Sequence, residues 1–289
     1  MAAQHPDARP SPAPAVGTAA AVAPRMGRFA YFAFCAAVFV FLVVPILVII
    51  PLSFNAEPYF TFTEGMLRFD PDAYSLRWYR EIIENEAWTG SLVNSLVIGV
   101  SATALATVLG TLAALGLASP GVPARRVIMG ILISPMVTPV IISAAGMFFF
   151  YSNLGLGQTH LGIILAHATL GVPFVVVTVT ATLAAFDRNL TRAAASLGAG
   201  PWTTFRRVQL PLIAPGVISG ALFAFAVSFD EVVVVLFMGG VEQRTIPRQM
   251  WSGIREQISP AILAVATFLI VFAALLLVVV AWLRRRAPG

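Results

Sequence analysis

Lysine is missing from this 289-residue sequence, and all 18 of its basic residues are arginine. That absence excludes a phosphate-binding loop of the G-x-x-x-x-G-K-[ST] type, whose lysine reaches the outer phosphates of a nucleotide. Schiff-base catalysis through a lysine amine is excluded with it. Cysteine occurs once, as Cys35 inside an apolar run, so the chain forms neither an internal disulfide nor a thiolate metal cluster. The three histidines, His5, His160 and His167, show no H-E-x-x-H metal spacing. Charge is scarce too: 11% of the residues, less than half of the quarter or so that a soluble domain carries.

Apolar residues take the place of charge, at 58% of the chain with a mean hydropathy of +0.88, which is the composition of a membrane protein. A hydrocarbon core about 30 Å thick needs about 20 apolar residues in a helix. Six runs reach that length: about Ala30 to Ser53, Leu92 to Ala118, Val127 to Tyr151, Leu161 to Phe186, Ala214 to Met238 and Ile262 to Leu283. The expected fold class is therefore an all-α membrane protein with six transmembrane helices. Residues 1–29, rich in Ala and Pro, read as a disordered cytoplasmic tail. Residues 30–285 read as the transmembrane domain and 286–289 as a short cytoplasmic end. The first apolar run is too long for a cleaved secretory signal and reads as a membrane anchor. Alternate connections hold twelve arginines with two acids on one side and six arginines with nine acids on the other. By the positive-inside rule both termini are cytoplasmic. Because the arginines are spread through short connections, the pI near 10.1 does not indicate a nucleic-acid partner.

The external segment, residues 54–90, contains Asp72 to Asn85, in which Tyr74, Trp78, Tyr79, Ile82 and Ile83 are spaced as on an amphipathic helix. Such a helix is expected along the membrane surface, with Trp78 and Tyr79 at the interface, or docked on a soluble partner. Pro45, Pro51, Pro135, Pro139 and Pro173 predict bent helices. Each frees a carbonyl that needs another partner, so these sites are expected to face protein or water rather than lipid. Gly216 and Gly220, four residues apart, predict a close approach of two helices.

Between the fourth and fifth runs lies a cytoplasmic segment, residues 187–213, unlike an ordinary connection. Leu190, Ala193, Ala194 and Leu197 recur at helical spacing, Gly198 and Gly200 end that helix, and Pro201 opens a second one carrying Trp202, Phe205, Arg206 and Arg207. An apolar and basic knob in the cytoplasm requires a partner. These residues resemble the signature of the inner-membrane subunits of binding-protein-dependent ABC importers: Glu-Ala-Ala, three residues, Gly, nine residues, then Ile-x-Leu-Pro. Here Ala193 and Ala194 precede Gly198 by three residues, and nine more lead to Val208, Gln209, Leu210 and Pro211 in a register that matches throughout. Arg192 stands where the signature has its acid, so a salt bridge through that acid is not carried over.

The resemblance, which extends over roughly residues 30 to 285 and includes Ser91 to Ala118 with Asn94, Ser95, Gly110 and Ala114, implies a type I ABC importer of the MetI-like permease fold. It implies that Ala193, Ala194, Gly198, Trp202, Phe205, Arg206, Leu210 and Pro211 form a coupling helix against a separate ATPase. The partners implied are ABC ATPase subunits, which bind ATP and Mg, a second permease subunit and an external solute-binding protein. The chain itself is then a multi-pass subunit of the bacterial inner membrane, among lipid, with no cofactor, catalytic residue or nucleotide site of its own.

The fifth run carries Ser228, Asp230 and Glu231 in SFDEVVVVLFMGG, which most resembles the spermidine and putrescine permease group. An acid within a span costs about 2.5 to 3.5 kcal/mol on insertion scales and so marks a cavity, a partner or a pathway. Two adjacent acids point about 100° apart on a helix, so one of them is expected on the pathway of a polycationic substrate. Pairing of Asp230 with an arginine of the second permease is the structural alternative. Opines, other amines, thiamine, iron and inorganic anions are the alternative cargoes of related permeases. A secondary transporter is a further reading, against which stand the lack of paired repeats and the small number of helices. A rhomboid-like protease needs a histidine in the last span, and none of the three lies there.

Overall fold

The computed structural model describes residues 25–119, 121–256 and 259–286. The expected N-terminal tail lies outside the described residues as far as position 24, as do positions 287–289 of the expected C-terminal end. The chain divides into two compact units, residues 1–48 and 49–289. Helix α1 (Arg25–Leu52) begins at Arg25, within the expected tail. The second unit continues with α2 (Glu64–Leu67), a 3-10 turn (Pro71–Ala73), α3 (Arg77–Glu84), α4 (Glu86–Ala118), α5 (Arg125–Val137), α6 (Val140–Asn153) and α7 (His160–Ala184). Then come α8 (Asn189–Ser196), α9 (Pro201–Thr204), a π-helical turn (Phe205–Gln209), α10 (Leu210–Asp230), α11 (Val233–Met238), α12 (Ile246–Glu256) and α13 (Ala261–Arg286). Among the described residues there is no β-strand, only an isolated bridge between Asn55 and Tyr74. Among the described residues, four helices are long and apolar enough to cross a membrane, five if the bent pair α5 and α6 is one broken span.

The core lies where α7 packs on α4 and α10. Lipid is as apolar as a leucine side chain, so close packing between backbones, not burial from water, holds such helices together. The residues at the contact are correspondingly small. On α4 they are Ala102, Ala106, Gly110 and Ala114; on α10 they are Gly216, Gly220, Ala224 and Ser228, each set repeating every four residues. A Cβ on Gly110 would stand 2.6 Å from Val175 Cβ, and one on Gly220 would stand 2.8 Å from the Cα of the same valine. Gly171 meets Ala224 and Ala106 together, which marks the point where all three helices converge. The glycine pair read from the sequence is thus the beginning of a longer seam.

Two expected spans have a different construction. The third is not one helix: α5 and α6 meet at a 103° bend. Pro139 has no N–H to donate, and its ring forces Thr138 out of the helical region to φ −72°, ψ 135°. The fifth, expected from Ala214 to Met238, belongs to a continuous helix over Pro201–Asp230. That helix stops at Glu231, whose backbone is extended, and α11 follows as a separate turn. Pro173 within α7 is buried among protein atoms, as its freed carbonyl requires.

The helix expected within residues 54–90 is present as α3. α3 is amphipathic, and part of its apolar face is covered by α13: Trp78, 4% exposed, packs on Ala261 and Ala264, while Ile83 on the same helix stays exposed. Its indole N–H donates to Asn55 O at 2.7 Å, and the Tyr79 hydroxyl bonds Ser53 Oγ at 2.7 Å. Asn55, itself buried, donates to Tyr59 O and Thr61 O and accepts from Glu57 N. The one polar group of the indole, its N–H, has a protein partner, so full burial carries no unpaired-donor cost.

Candidate functional site

In the segment 187–213, α8 ends in a complete Schellman closure. Gly198 takes φ +81°, Ala199 N–H donates to Ala194 O at 3.0 Å, and Gly198 N–H donates to Ala195 O at 3.0 Å. Gly200 and Pro201 then open α9 at its first turn. The reversal pushes side chains outward: Leu197 is 89% and Trp202 70% exposed, with the Trp202 and Phe205 rings 5.6 Å apart. Ala193 and Arg206 are exposed, while Ala194, Phe205 and Leu210 are half-buried. Exposed large apolar groups beside guanidinium groups make a surface that fits a protein partner better than water. Pro211 cannot donate to the carbonyl four residues back, and the ladder just before it slips to π geometry, with Leu210 N–H on Phe205 O. The helix therefore runs on through the expected membrane entry without a break. Arg192, at the position of the signature acid, lines a pocket of about 270 Å³ beside Arg188, whose Nη2 donates to Ala118 O at 2.5 Å and so caps the end of α4.

At the other end of α10, the three residues expected on a substrate pathway are separated. Ser228 is buried, 5% exposed, and its Oγ lies 2.8 Å from His167 Nδ1 on α7. Glu231 is occupied by the backbone: its Oε1 accepts from Val233 N–H at 2.7 Å and Val234 N–H at 3.0 Å, capping α11. Asp230 alone is exposed and makes no hydrogen bond or ion pair with the described residues. One face of the last helical turn is thus fastened to α7, and the adjacent acid is turned away from it. His167, read from the sequence as a polar residue satisfied within the bundle, is bonded at one nitrogen only, since Nε2 has no partner among the described residues.

Beyond α11 the chain is tied back to the N-terminal parts of α4 and α7. Asn94 Nδ2 donates to Glu242 O at 2.7 Å and to Arg244 O at 3.0 Å. That leaves Oδ1 as the acceptor facing His160 Nε2 at 3.0 Å, so this nitrogen carries the proton. Ser95 Oγ accepts from Ile246 N–H, starting α12. Arg248 donates to Gly240 O at 2.7 Å; burial first, and the charge of Arg244 second, lower the pKa of its guanidinium. Asn94 and Ser95 thus hold the loop that follows the acid-bearing break.

Comparison with known proteins places these features in a common setting. Residues 106–287 match the family of binding-protein-dependent transport system inner membrane components. The spermidine/putrescine transport system permease protein PotC of Haemophilus influenzae is 31% identical over 246 residues, covering 85% of this chain and 93% of that protein. The putrescine transport system permease protein PotI of Escherichia coli is 32% identical over 239 residues, covering 80% and 82%. A chain from the crystal structure of a bacterial ABC transporter involved in the import of the acidic polysaccharide alginate superposes with a TM-score of 0.67 at 15% identity. It covers 91% of this chain and 96% of that one, a likeness of fold.

Proposed function

Since the chain belongs to the binding-protein-dependent transport system inner membrane components, and is thereby a permease subunit of an ABC importer, we propose that its cargo is a polyamine of the spermidine or putrescine type. Relatives that carry those substrates in their names match it over four fifths or more of its length. The observation that carries the reading is a single one. A continuous helix, residues 201–230, has an exposed apolar and basic knob at one end and an exposed unpaired carboxylate, Asp230, at the other. A flexible polycation needs carboxylate oxygens free to accept from its ammonium groups: among the described residues Asp230 has both free, whereas Glu231 Oε1 is taken by two backbone N–H groups.

In this proposal α1, α4, the pair α5 and α6, α7, the 201–230 helix with α11, and α13 are six crossings, with both termini in the cytoplasm on the arginine-rich side. The segment 187–213 seats on an ATPase that holds ATP and Mg, and closure of that ATPase drives alternating access. A second permease chain and an external solute-binding protein complete the assembly. This chain contributes no nucleotide site, consistent with its lack of lysine.

Affinity purification in mild detergent, followed by an ATPase assay with and without spermidine, tests the class and the cargo together. Copurification of a P-loop ATPase and a second permease, with hydrolysis stimulated by spermidine, is the expected result. A chain that comes through alone under several conditions overturns the coupling role, and stimulation by an unrelated solute overturns the cargo. Asp230→Asn is expected to raise the KM for spermidine uptake by about tenfold or more, the scale of one charge-assisted contact, with the complex still assembling. Loss of assembly instead assigns Asp230 to subunit pairing.

A further inference from the structure

The seam between α7 and α10 has a regular register. Gly216 faces Thr182, Gly220 faces Thr178 and Val175, Ala224 faces Gly171, and Ser228 meets His167. Each step of four residues up α10 is matched by four to seven residues back along α7, as two antiparallel helices require. Where the two helices touch, the first three levels hold small or β-branched groups, so packing sets the distance between the helices but resists rotation of the terminal turn only weakly. At the fourth level the contact becomes directional. The imidazole is 1% exposed and makes one hydrogen bond, to the serine two residues before Asp230. A polar ring buried at such depth costs free energy that only a well-placed partner offsets, and Ser228 is that partner.

Beyond Ser228, the Phe229 ring lies 5.6 Å from that of Phe272 on α13, an apolar contact without the direction of a hydrogen bond. Asp230 ends α10, Glu231 leaves the helix to cap α11, and α11 packs against α6 and α7. The terminal turn of α10 is held on the α7 side by the His167 bond, beyond its end by the Glu231 cap, and on the α13 side by the Phe229 ring. We infer that His167 is a positioning residue for Asp230: through Ser228 it fixes the last turn of α10 on α7 and so sets where the Asp230 carboxylate lies. The effect on affinity rests on the reading of Asp230 as the polyamine contact; the effect on geometry does not.

The test uses the complete transporter in membranes and two readouts. In a Cys35→Ala background, Asp230→Cys is labelled with a charged thiosulfonate reagent, and the rate reports the position of residue 230 without any substrate. His167→Leu and Ser228→Ala, which remove the same bond from opposite sides, are each expected to shift that rate about threefold or more, within the factor that one hydrogen bond carries. His167→Asn, whose amide reaches the position of Nδ1, is expected to restore it. His167→Gln, closer in volume but with its amide at the position of Nε2, is not. With Asp230 intact, His167→Leu is expected to raise the KM for spermidine about fivefold while kcat stays within about twofold, the pattern of lost binding rather than lost turnover. Unchanged labelling in both His167→Leu and Ser228→Ala overturns the inference, as does rescue by Gln in place of Asn. A shifted labelling rate with an unchanged KM upholds the positioning role and overturns the polyamine role of Asp230.

Discussion

Uptake by a Gly198→Val variant is expected to fall by at least about tenfold while ATP hydrolysis continues and the chain still inserts. Gly198 sits at φ +81° with open space around the point where a Cβ would be placed. No neighbour is struck, and the whole effect comes from the backbone. The left-handed region costs an ordinary L residue about 1–2 kcal/mol and a β-branched one more. Relief of that strain opens the two closing bonds, Ala199 to Ala194 and Gly198 to Ala195, and turns Leu197 and Trp202 away from their common surface. Gly198→Asn, which tolerates this conformation, is the control and keeps most of the uptake. The ratio of substrate moved to ATP hydrolysed is the quantity to measure, and a Val variant with the native ratio removes segment 187–213 from the coupling path.

A Gly220→Val substitution acts in the opposite manner, through neighbours rather than through its own backbone. Its Cβ alone would lie 2.5 Å from Thr178 Oγ1 and 2.8 Å from Val175 Cα. The first contact yields to a rotamer change, but the second is backbone, so α7 and α10 must part. Overpacking of this kind costs about 1–3 kcal/mol where a core can adjust, and separation of the helices also forfeits dispersion along the seam. Little stable protein is expected in the membrane, and what remains is expected to aggregate at a markedly lower temperature. Thr178→Ala in the same chain gives only partial rescue. Gly130→Ala, a position with nothing within 4 Å of the added atom, is expected to change nothing. A Gly220→Val protein as abundant and as heat-stable as the parent contradicts the tight seam.

Which of these features the sequence displays depends on whether the cause is local. The ends of α8 and α9 follow from Gly198, Gly200 and Pro201, whose conformational limits act on their own residues, and the structure has both ends where those residues put them. The glycine pair at 216 and 220 is legible for the same reason. Its continuation to Ala224 and Ser228 follows from the four-residue period. The partner of Ser228, however, lies 61 residues away and emerges only from the antiparallel register of two helices. The break at Glu231 is hidden because Val232 to Val235 continue an apolar run, and hydropathy does not register a carboxylate that serves as a cap. The amphipathic pattern of α3 gives the face that must be covered but not what covers it. A sheltered carbonyl, Asn55 O, decided that Trp78 would go inward.

The helix over residues 201–230 is about 45 Å long at 1.5 Å per residue, and it has no loop between Trp202 and Asp230. The π turn changes its pitch without interrupting it. In the proposed coupling such a helix would deliver a stroke rather than absorb it. If its cytoplasmic end acts as the pivot, a tilt of about 5° carries the far end through about 4 Å, on the order of the width of an alkyl chain. The loop after α11, pinned by Asn94 and Ser95 to the N-terminal part of α4, is then the stationary frame against which that displacement is felt. The gain of the device is set by helix length alone, so a single residue inserted within the rod would rotate its far end by about 100° relative to the knob and put the two ends out of phase.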